Sequence, residues 1–452
     1  MVQDVKPGGV YLINCQWNAE ELDKHLDAAT KKYIAQNDIQ LYTVNAIDLA
    51  VEIGMGKRTN TILQAAFFAL AKVMPIEDAV QYMKDAATRS YLKKGQDIVD
   101  MNHKAIDAGV SAFTKIDVPA EWANAVDETQ ATASVGKEKL VKMVDSIMLP
   151  VGKMEGDSLP VSAFIDHADG TFEQGASAYE KRGVAVMVPQ WNEATCAKCN
   201  KCAFVCPHAT IRPFALSEEE LANAPENTRV CEKPIVKTEY KYTLAVSPFD
   251  CMGCGVCIGV CPTNSLTMVP RETQDAEQAV FDYCVANVTE KPETTANINV
   301  ISSQYKQPLL EFSGSCAGCA ETSYARLITQ LFGDRMYVSN ATGCSSIWGG
   351  PAATSPYTTN KDGHGPAWAN SLFEDNAEHG LGMYLGQKAV RDRLIEQVKG
   401  IVDCDKSTDE LKAAAAEYLN TVDDGEANAK ATKALVAQLE TVKDDCDYCG
   451  AI

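Results

Sequence analysis

Two cysteine strings of one pattern constrain this chain more than any other feature. CAKCNKCAFVCP runs from Cys196 to Pro207 and CMGCGVCIGVCP from Cys251 to Pro262, each reading Cys-x2-Cys-x2-Cys-x3-Cys-Pro. Thiolates at that spacing hold a pair of cubane [4Fe–4S] clusters, the fourth cysteine of each string ligating the cluster of the other. The rule assigns Cys196, Cys199, Cys202 and Cys261 to one cluster, and Cys251, Cys254, Cys257 and Cys206 to the second. The exchange obliges the two strings to fold as one unit. Two zinc knots are the alternative, but zinc favours paired Cys-x2-Cys hooks with four ligands in a tetrahedron. Four cysteines per string, each closed by proline, fit that poorly.

A chain of 452 residues is long enough for about three domains. Lysine and arginine number 41 against 61 acidic residues, a net charge of -20. That balance argues against nucleic-acid binding and suits docking to a partner with a basic patch. Seventeen cysteines, most at metal-ligand spacing and with no signal peptide ahead of them, point to a reducing, cytoplasmic setting. No run of 18 apolar residues occurs, so no membrane span is expected.

The first stretch alternates strand and helix signals. GVYLIN (9–14) and LYTVN (41–45) are β-rich, and Asn18 with Glu21 forms a capping-box pattern between them, the beginning of a βαβ unit. Helices are predicted over 61–73, 76–94 and 96–113, with Phe67, Phe68 and Met83 as core residues without chemistry. GMGKRTN (54–60) lacks the third glycine and preceding strand of a dinucleotide fingerprint, so Lys57 and Arg58 are read as solvated. A charged connector from 118 to 157 leads to short strand signals at 160–165 and 183–188, with His167 in the turn between them. The two-cluster unit spans 188–270. Its insertion from His208 to Asp250 includes Cys231, an incidental buried thiol because both clusters already have four donors. Phe204, Val205, Ile211, Val256, Ile258 and Val260 are placed around the clusters as a shield from water. A polar linker with Cys284 follows over 271–299.

The third informative region is PLLEFSGSCAGCAETSYARLITQLFGDRMYVSNATGCSSIWGG (308–350). It holds Cys316 and Cys319 as a Cys-x2-Cys, then Cys344. A helix from Glu321 to Phe332 and a strand from Tyr337 to Asn340 would deliver TGC to the carboxyl end of a sheet, where α/β folds place ligands. Taken alone, three cysteines leave a cubane one donor short, and cluster, zinc and redox thiol all remain open.

Longer strings narrow the choice. SGSCAGCAET, TGCSSIWGG, PYTTNKDGHGPAWANSLFEDNAEHG, YLINCQW, PVSAFIDHADGTF and YEKRGVAV resemble, in order, those of pyruvate:ferredoxin (flavodoxin) oxidoreductase. The resemblance implies an α/β and α+β multidomain chain: a γ-type α/β domain with connector (1–187), a two-cluster ferredoxin domain (188–270), a linker (271–299), and part of a thiamine diphosphate-binding α/β domain with a helical tail (300–452). It also implies that Cys316, Cys319 and Cys344 ligate a third [4Fe–4S] cluster beside thiamine, with Glu321 and Cys344 against that cofactor. The family reaction is oxidative cleavage of pyruvate with coenzyme A to acetyl-CoA and CO2, in a homodimer that passes electrons to ferredoxin or flavodoxin. Arg182 is a weak candidate for coenzyme A contact.

This sequence departs from the family in what it omits. The N-terminal domains with the substrate contacts, the Gly-Asp-Gly stretch that holds Mg2+ and pyrophosphate, and the fourth ligand of the third cluster are expected outside it. Cys446 and Cys449 in the terminal CDYCGAI are read as free thiols. Two functional readings therefore stand: a central piece of the oxidoreductase, inactive alone but carrying its electron path, or a stand-alone iron–sulfur electron-transfer protein.

Overall fold

The computed structural model describes residues 2–56, 58–126, 134, 136–351 and 354–442. The chain forms two units, 1–133 and 134–452.

In the first unit β1 (Val10–Asn14) and β2 (Gln40–Val44) pair in parallel, and β3 (Phe113–Lys115) adds antiparallel to β2. The expected βαβ beginning is present, with two helices in its crossover, α1 (Ala19–His25) and α2 (Ala28–Gln36). Asn18 caps α1 reciprocally: the Glu21 N–H donates to Asn18 Oδ1 at 2.9 Å and the Asn18 N–H to Glu21 Oε2 at 3.0 Å. Asp27 breaks the crossover by capping α2, accepting from the Thr30 N–H at 2.6 Å. Then come α3 (Ala46–Ile53), α4 (Asn60–Ala71), α5 (Ile76–Tyr91) and α6 (Gln96–Gly109).

Two expectations, those on Phe113 and Phe67, need correction here. Gly54, at φ +93°, closes α3 as a left-handed cap, so GMGKRTN begins as a helix stop. Arg58 is exposed, and Lys57 lies outside the described residues. Phe113 leaves the predicted third helix to open β3, where it meets the Tyr42 ring edge-on at 5.7 Å. Phe67 is 52% exposed: α4 turns Ile62, Ala65 and Ala66 inward, and Phe67, one position on, falls off that stripe.

Close helix approach holds this unit together. A Cβ at Gly109 would lie 2.5 Å from the Ile62 carbonyl oxygen and 2.9 Å from Ala65 Cβ. Gly109→Val should therefore destabilise the unit by ~1–3 kcal/mol, the range for overpacking. An unchanged urea midpoint would show that α4 and α6 separate freely.

The second unit opens with helical turns over 138–152 that bury Met143, Val144, Ile147 and Met148 with Ala176. The predicted strand at 160–165 is a 3-10 helix, Val161–His167. Val161 and Ile165 are 91% and 72% exposed, and with no strand paired to it among the described residues the segment satisfies its backbone locally. The next strand starts late, as β4 (Met187–Trp191), because Gly183 bends the chain at φ +60°. His167 stacks on Phe172 with Nδ1 2.9 Å from the Thr171 carbonyl, a turn histidine as read.

The strands β5 (Ile211–Leu216), β6 (Lys241–Val246) and β7 (Leu266–Pro270) complete a repeat, with β4 pairing β7 and β5 pairing β6, both antiparallel. The 271–299 stretch is more than a polar linker: helix Glu277–Asn287 buries Val280, Phe281 and Cys284 against Leu216, Ala245 and Phe312. Its apolar stripe is short and set among charges, which hid it. Beside it Glu220 accepts from Lys291 Nζ at 2.6 Å, the Thr289 N–H at 3.0 Å and the Ser217 N–H at 2.8 Å. Burial works to raise the Glu220 carboxyl, but these donors outweigh it and hold it down to about 2. An unfolded glutamate titrates near ~4.3, so this stabilisation is complete above that value and lost as pH falls toward about 2. Glu220→Gln should flatten the acid limb of a stability–pH profile. An unaltered limb would remove Glu220 from the account.

Further on, helix Ala320–Phe332 precedes β8 (Tyr337–Ala341), which pairs in parallel with β9 (Ala367–Ser371). The helix-rich tail has its own core, with Val398, Ile401, Leu411, Tyr418 and Leu435. Among the described residues no helix is long and apolar enough to cross a membrane.

Candidate functional site

The two cysteine strings adopt one backbone shape fifty-five positions apart. Lys198 and Gly253, Asn200 and Gly255, Ala209 and Asn264 all take left-handed φ, at 53° and 63°, 55° and 75°, 55° and 52°. Each string thereby curls its first two cysteines ahead of a short helix, Lys201–Val205 or Val256–Gly259, that carries the third. Glycine at 253 has a second reason: a Cβ there would stand 2.9 Å from the Met187 carbonyl. Asn200 tolerates its conformation because its side chain is locked, accepting from Tyr242 Oη at 2.8 Å and donating to the Ile301 carbonyl at 2.9 Å.

Pairing of β4 with β7 and β5 with β6 then brings the ends of both strings together. Cys196, Cys199, Cys202 and Cys261 line one small pocket, walled by Trp191, Tyr242, Leu244 and Leu266. Burial, reinforced by Cys196, Cys199 and Cys261 nearby, pushes the Cys202 thiol up to about 12. Cys257 is likewise raised by burial and then by Cys206, Cys251, Cys202 and Cys254. Backbone amides point at the sulfurs: Lys198 N–H to Cys196 at 3.4 Å, Gly253 N–H to Cys251 at 3.4 Å, Ser265 N–H to Cys261 at 3.2 Å. Such donors stabilise negative charge on thiolate.

Among the described residues no three histidine, cysteine or carboxylate groups draw together tightly enough for one metal ion. A cubane attaches its four thiolates to four different irons, so it suits donors gathered around a larger cavity. The donor chemistry, the four cysteines sharing one pocket and the aimed amides all fit an iron–sulfur cluster.

Shielding differs in part from expectation. Ile211 is buried with Cys206 and Cys257, and Ile258 packs against that group, but Val256 is 36% exposed. The main wall is Trp191, Tyr242, Leu244 and Leu266, whose signal was the alternation of VPQW and YTLAV. Cys231 is buried in the same core, its thiol 3.4 Å from the Glu193 carbonyl.

The Cys316–Cys319 loop lies against the second string. Gly318 takes φ +78°, and a Cβ there would come 3.6 Å from Val256 and 3.7 Å from Cys254 Cβ. Buried His208, two residues past Cys206, has Nε2 2.9 Å from Ser315 Oγ and 3.0 Å from the Ser315 carbonyl. Cys344 is exposed at the start of helix Cys344–Gly349, beyond the carboxyl end of β8. Trp348 of that helix donates to Glu321 Oε2 at 3.4 Å, which ties the elements carrying Cys319 and Cys344. Arg182 is committed to the Phe312 and Ser313 carbonyls, at 3.0 and 3.1 Å. Cys446 and Cys449 lie outside the described residues.

Comparison with known proteins agrees with this layout. The pyruvate ferredoxin/flavodoxin oxidoreductase family matches residues 1–112, a domain of unknown function 129–185, and the 4Fe-4S dicluster domain 195–265. The chain belongs to the pyruvate ferredoxin/flavodoxin oxidoreductase family. It is 50% identical over 431 residues to the pyruvate-flavodoxin oxidoreductase of Enterobacter agglomerans, covering 94% of this chain and 36% of that protein. With the pyruvate:ferredoxin oxidoreductase of Moorella thermoacetica it shares 46% identity over 434 residues, again 94% and 36%. The mitochondrial pyruvate dehydrogenase [NADP(+)] of Euglena gracilis is 39% identical, over 97% of this chain and 24% of its own length. The chain thus spans little more than a third of the two bacterial relatives. The dicluster match and the gathered cysteines make the ferredoxin-type portion of this family member an iron–sulfur protein.

Proposed function

We propose that this chain is the electron-carrying centre of a 2-oxo acid oxidoreductase acting on pyruvate, holding two [4Fe–4S] clusters on the cysteine sets given above and passing electrons to ferredoxin or flavodoxin. The observation that carries the proposal is the convergence of Cys196, Cys199, Cys202 and Cys261 on one cavity, across two strings far apart in sequence. Thiamine diphosphate, when bound, supplies the electron sink for decarboxylation, and coenzyme A takes up the acetyl group. The chain's own residues orient, insulate and wire that chemistry.

Cys316, Cys319 and Cys344 are proposed for a third cluster on the thiamine side, with Glu321 and Cys344 beside the cofactor. The packing of Gly318 on Cys254 supports a short path from this site to the second string. The domain division 1–187, 188–270, 271–299 and 300–452 belongs to the same reading. A fourth ligand, Mg2+, substrate contacts and the partner subunit are assigned to the remainder of the enzyme. Ile347, Leu372, Phe373, Leu381 and Tyr384 are exposed apolar side chains available to that remainder.

The alternative is a stand-alone electron-transfer protein. Iron and acid-labile sulfide per chain after anaerobic reconstitution, with EPR of the dithionite-reduced protein, separate the readings. About eight irons and the signal of two interacting clusters fit the proposal. About twelve would favour the independent protein, and an iron-free chain would end both.

A further inference from the structure

Arg326 is 2% exposed, yet among the described residues no carboxylate pairs with it. Its Nη1 donates to Gln304 Oε1 at 2.9 Å and Gln330 Oε1 at 2.8 Å, its Nη2 to the Phe204 carbonyl at 2.6 Å, and its buried Nε–H has no partner. Neutral amides solvate a guanidinium but do not cancel its charge, and an unpaired buried cation is strongly destabilising. Nearby Arg212, which already has Glu311, adds repulsion; the thiol of Cys206 is the acidic group whose field Arg326 feels. Phe204 lies two residues before Cys206 in the first string. The helix carrying Arg326 begins directly after Cys319.

We propose that Arg326 is the built-in counter-charge of the cluster held by Cys206, Cys251, Cys254 and Cys257, setting that cluster's reduction potential above the value it would have without the cation. The proposal rests on the cluster assignment made above. On reduction one electron enters and no bond forms or breaks, so the negative charge of the site rises by one. A fixed cation in a dry site favours the more negative state. Arg326 acts through the cluster and touches no substrate, so it is a positioning residue for the electron path.

The test is an EPR-monitored redox titration of the reconstituted full chain, with dithionite supplying the electron. Arg326→Gln should lower the potential of one cluster by at least 59 mV, a tenfold change in its one-electron equilibrium, and leave the other cluster and the iron content unchanged. Arg326→Lys should restore most of the potential. Gln330→Glu keeps the packing and places a carboxylate against Nη1, so it should lower the same potential even if Arg326→Gln fails to fold. Iron near eight with unmoved potentials in Gln330→Glu would overturn this proposal alone. Wild-type protein that takes up no iron would overturn the cluster assignment beneath it.

Discussion

Replacing Cys254 with alanine should halve the iron of the reconstituted chain, from about eight atoms to about four. Cys206→Ala should empty the same cluster although it lies in the other string. Cys261→Ala should instead remove the cluster of Cys196, Cys199 and Cys202. This crossed pattern follows from the strand pairing, which carries the end of each string to the head of the other. Cys231→Ala is the control: its thiol is buried next to Cys196 and bonded to the Glu193 carbonyl, but each foursome is complete without it. Iron analysis of the four variants decides the matter. Full iron in Cys254→Ala, or half iron in Cys231→Ala, would break the assignment.

Glu311→Ala should destabilise the second unit by ~3–5 kcal/mol, the range for stripping one partner from a buried ion pair. Glu311 and Arg212 are paired with side chains only 9% and 7% exposed. The Arg212 guanidinium also sits 5.1 Å from the Phe281 ring centre and 5.2 Å from that of Phe312, with Nε donating to the Ala209 carbonyl at 2.8 Å. Without Glu311 it would stay buried beside a second cation, Arg326, with only rings and a carbonyl to solvate it. Glu311→Gln keeps an acceptor and should cost less. The check is the urea midpoint of the second unit. A loss below ~1 kcal/mol would place the pair among surface bridges of little consequence.

The sites that could be read from sequence are those where chemistry demands a fixed spacing. Both cysteine strings, the Asn18–Glu21 cap, the helix after Cys319 and the strand before TGC follow from local rules, and the structure shows each element within a residue or two of its expected place. Elements that depend on distant partners were harder to read. Val161 to Ile165 looks like a strand until no edge is there to pair with it. Phe113 looks like the end of a helix until Tyr42 offers its ring. Helix Glu277–Asn287 buries Phe281 against a core contributed by β5 and β6, and nothing near it in sequence announces that. Arg326 was invisible for the same reason: its lack of a carboxylate partner among the described residues is a property of the packed interior.

The pairing of β4 with β7 bears on what gathers the thiolates. Met187 lies opposite Pro270 and Trp191 opposite Leu266, and the Asn192 N–H continues the ladder to the Ser265 carbonyl at 2.8 Å. These bonds close a long loop of chain around both strings, and the ladder offsets part of the entropy of that closure. In small zinc-folded domains the metal must supply that free energy itself, which weakens its hold. Here strand pairing contributes part of that free energy, so less of each cluster's binding free energy goes into gathering the thiolates.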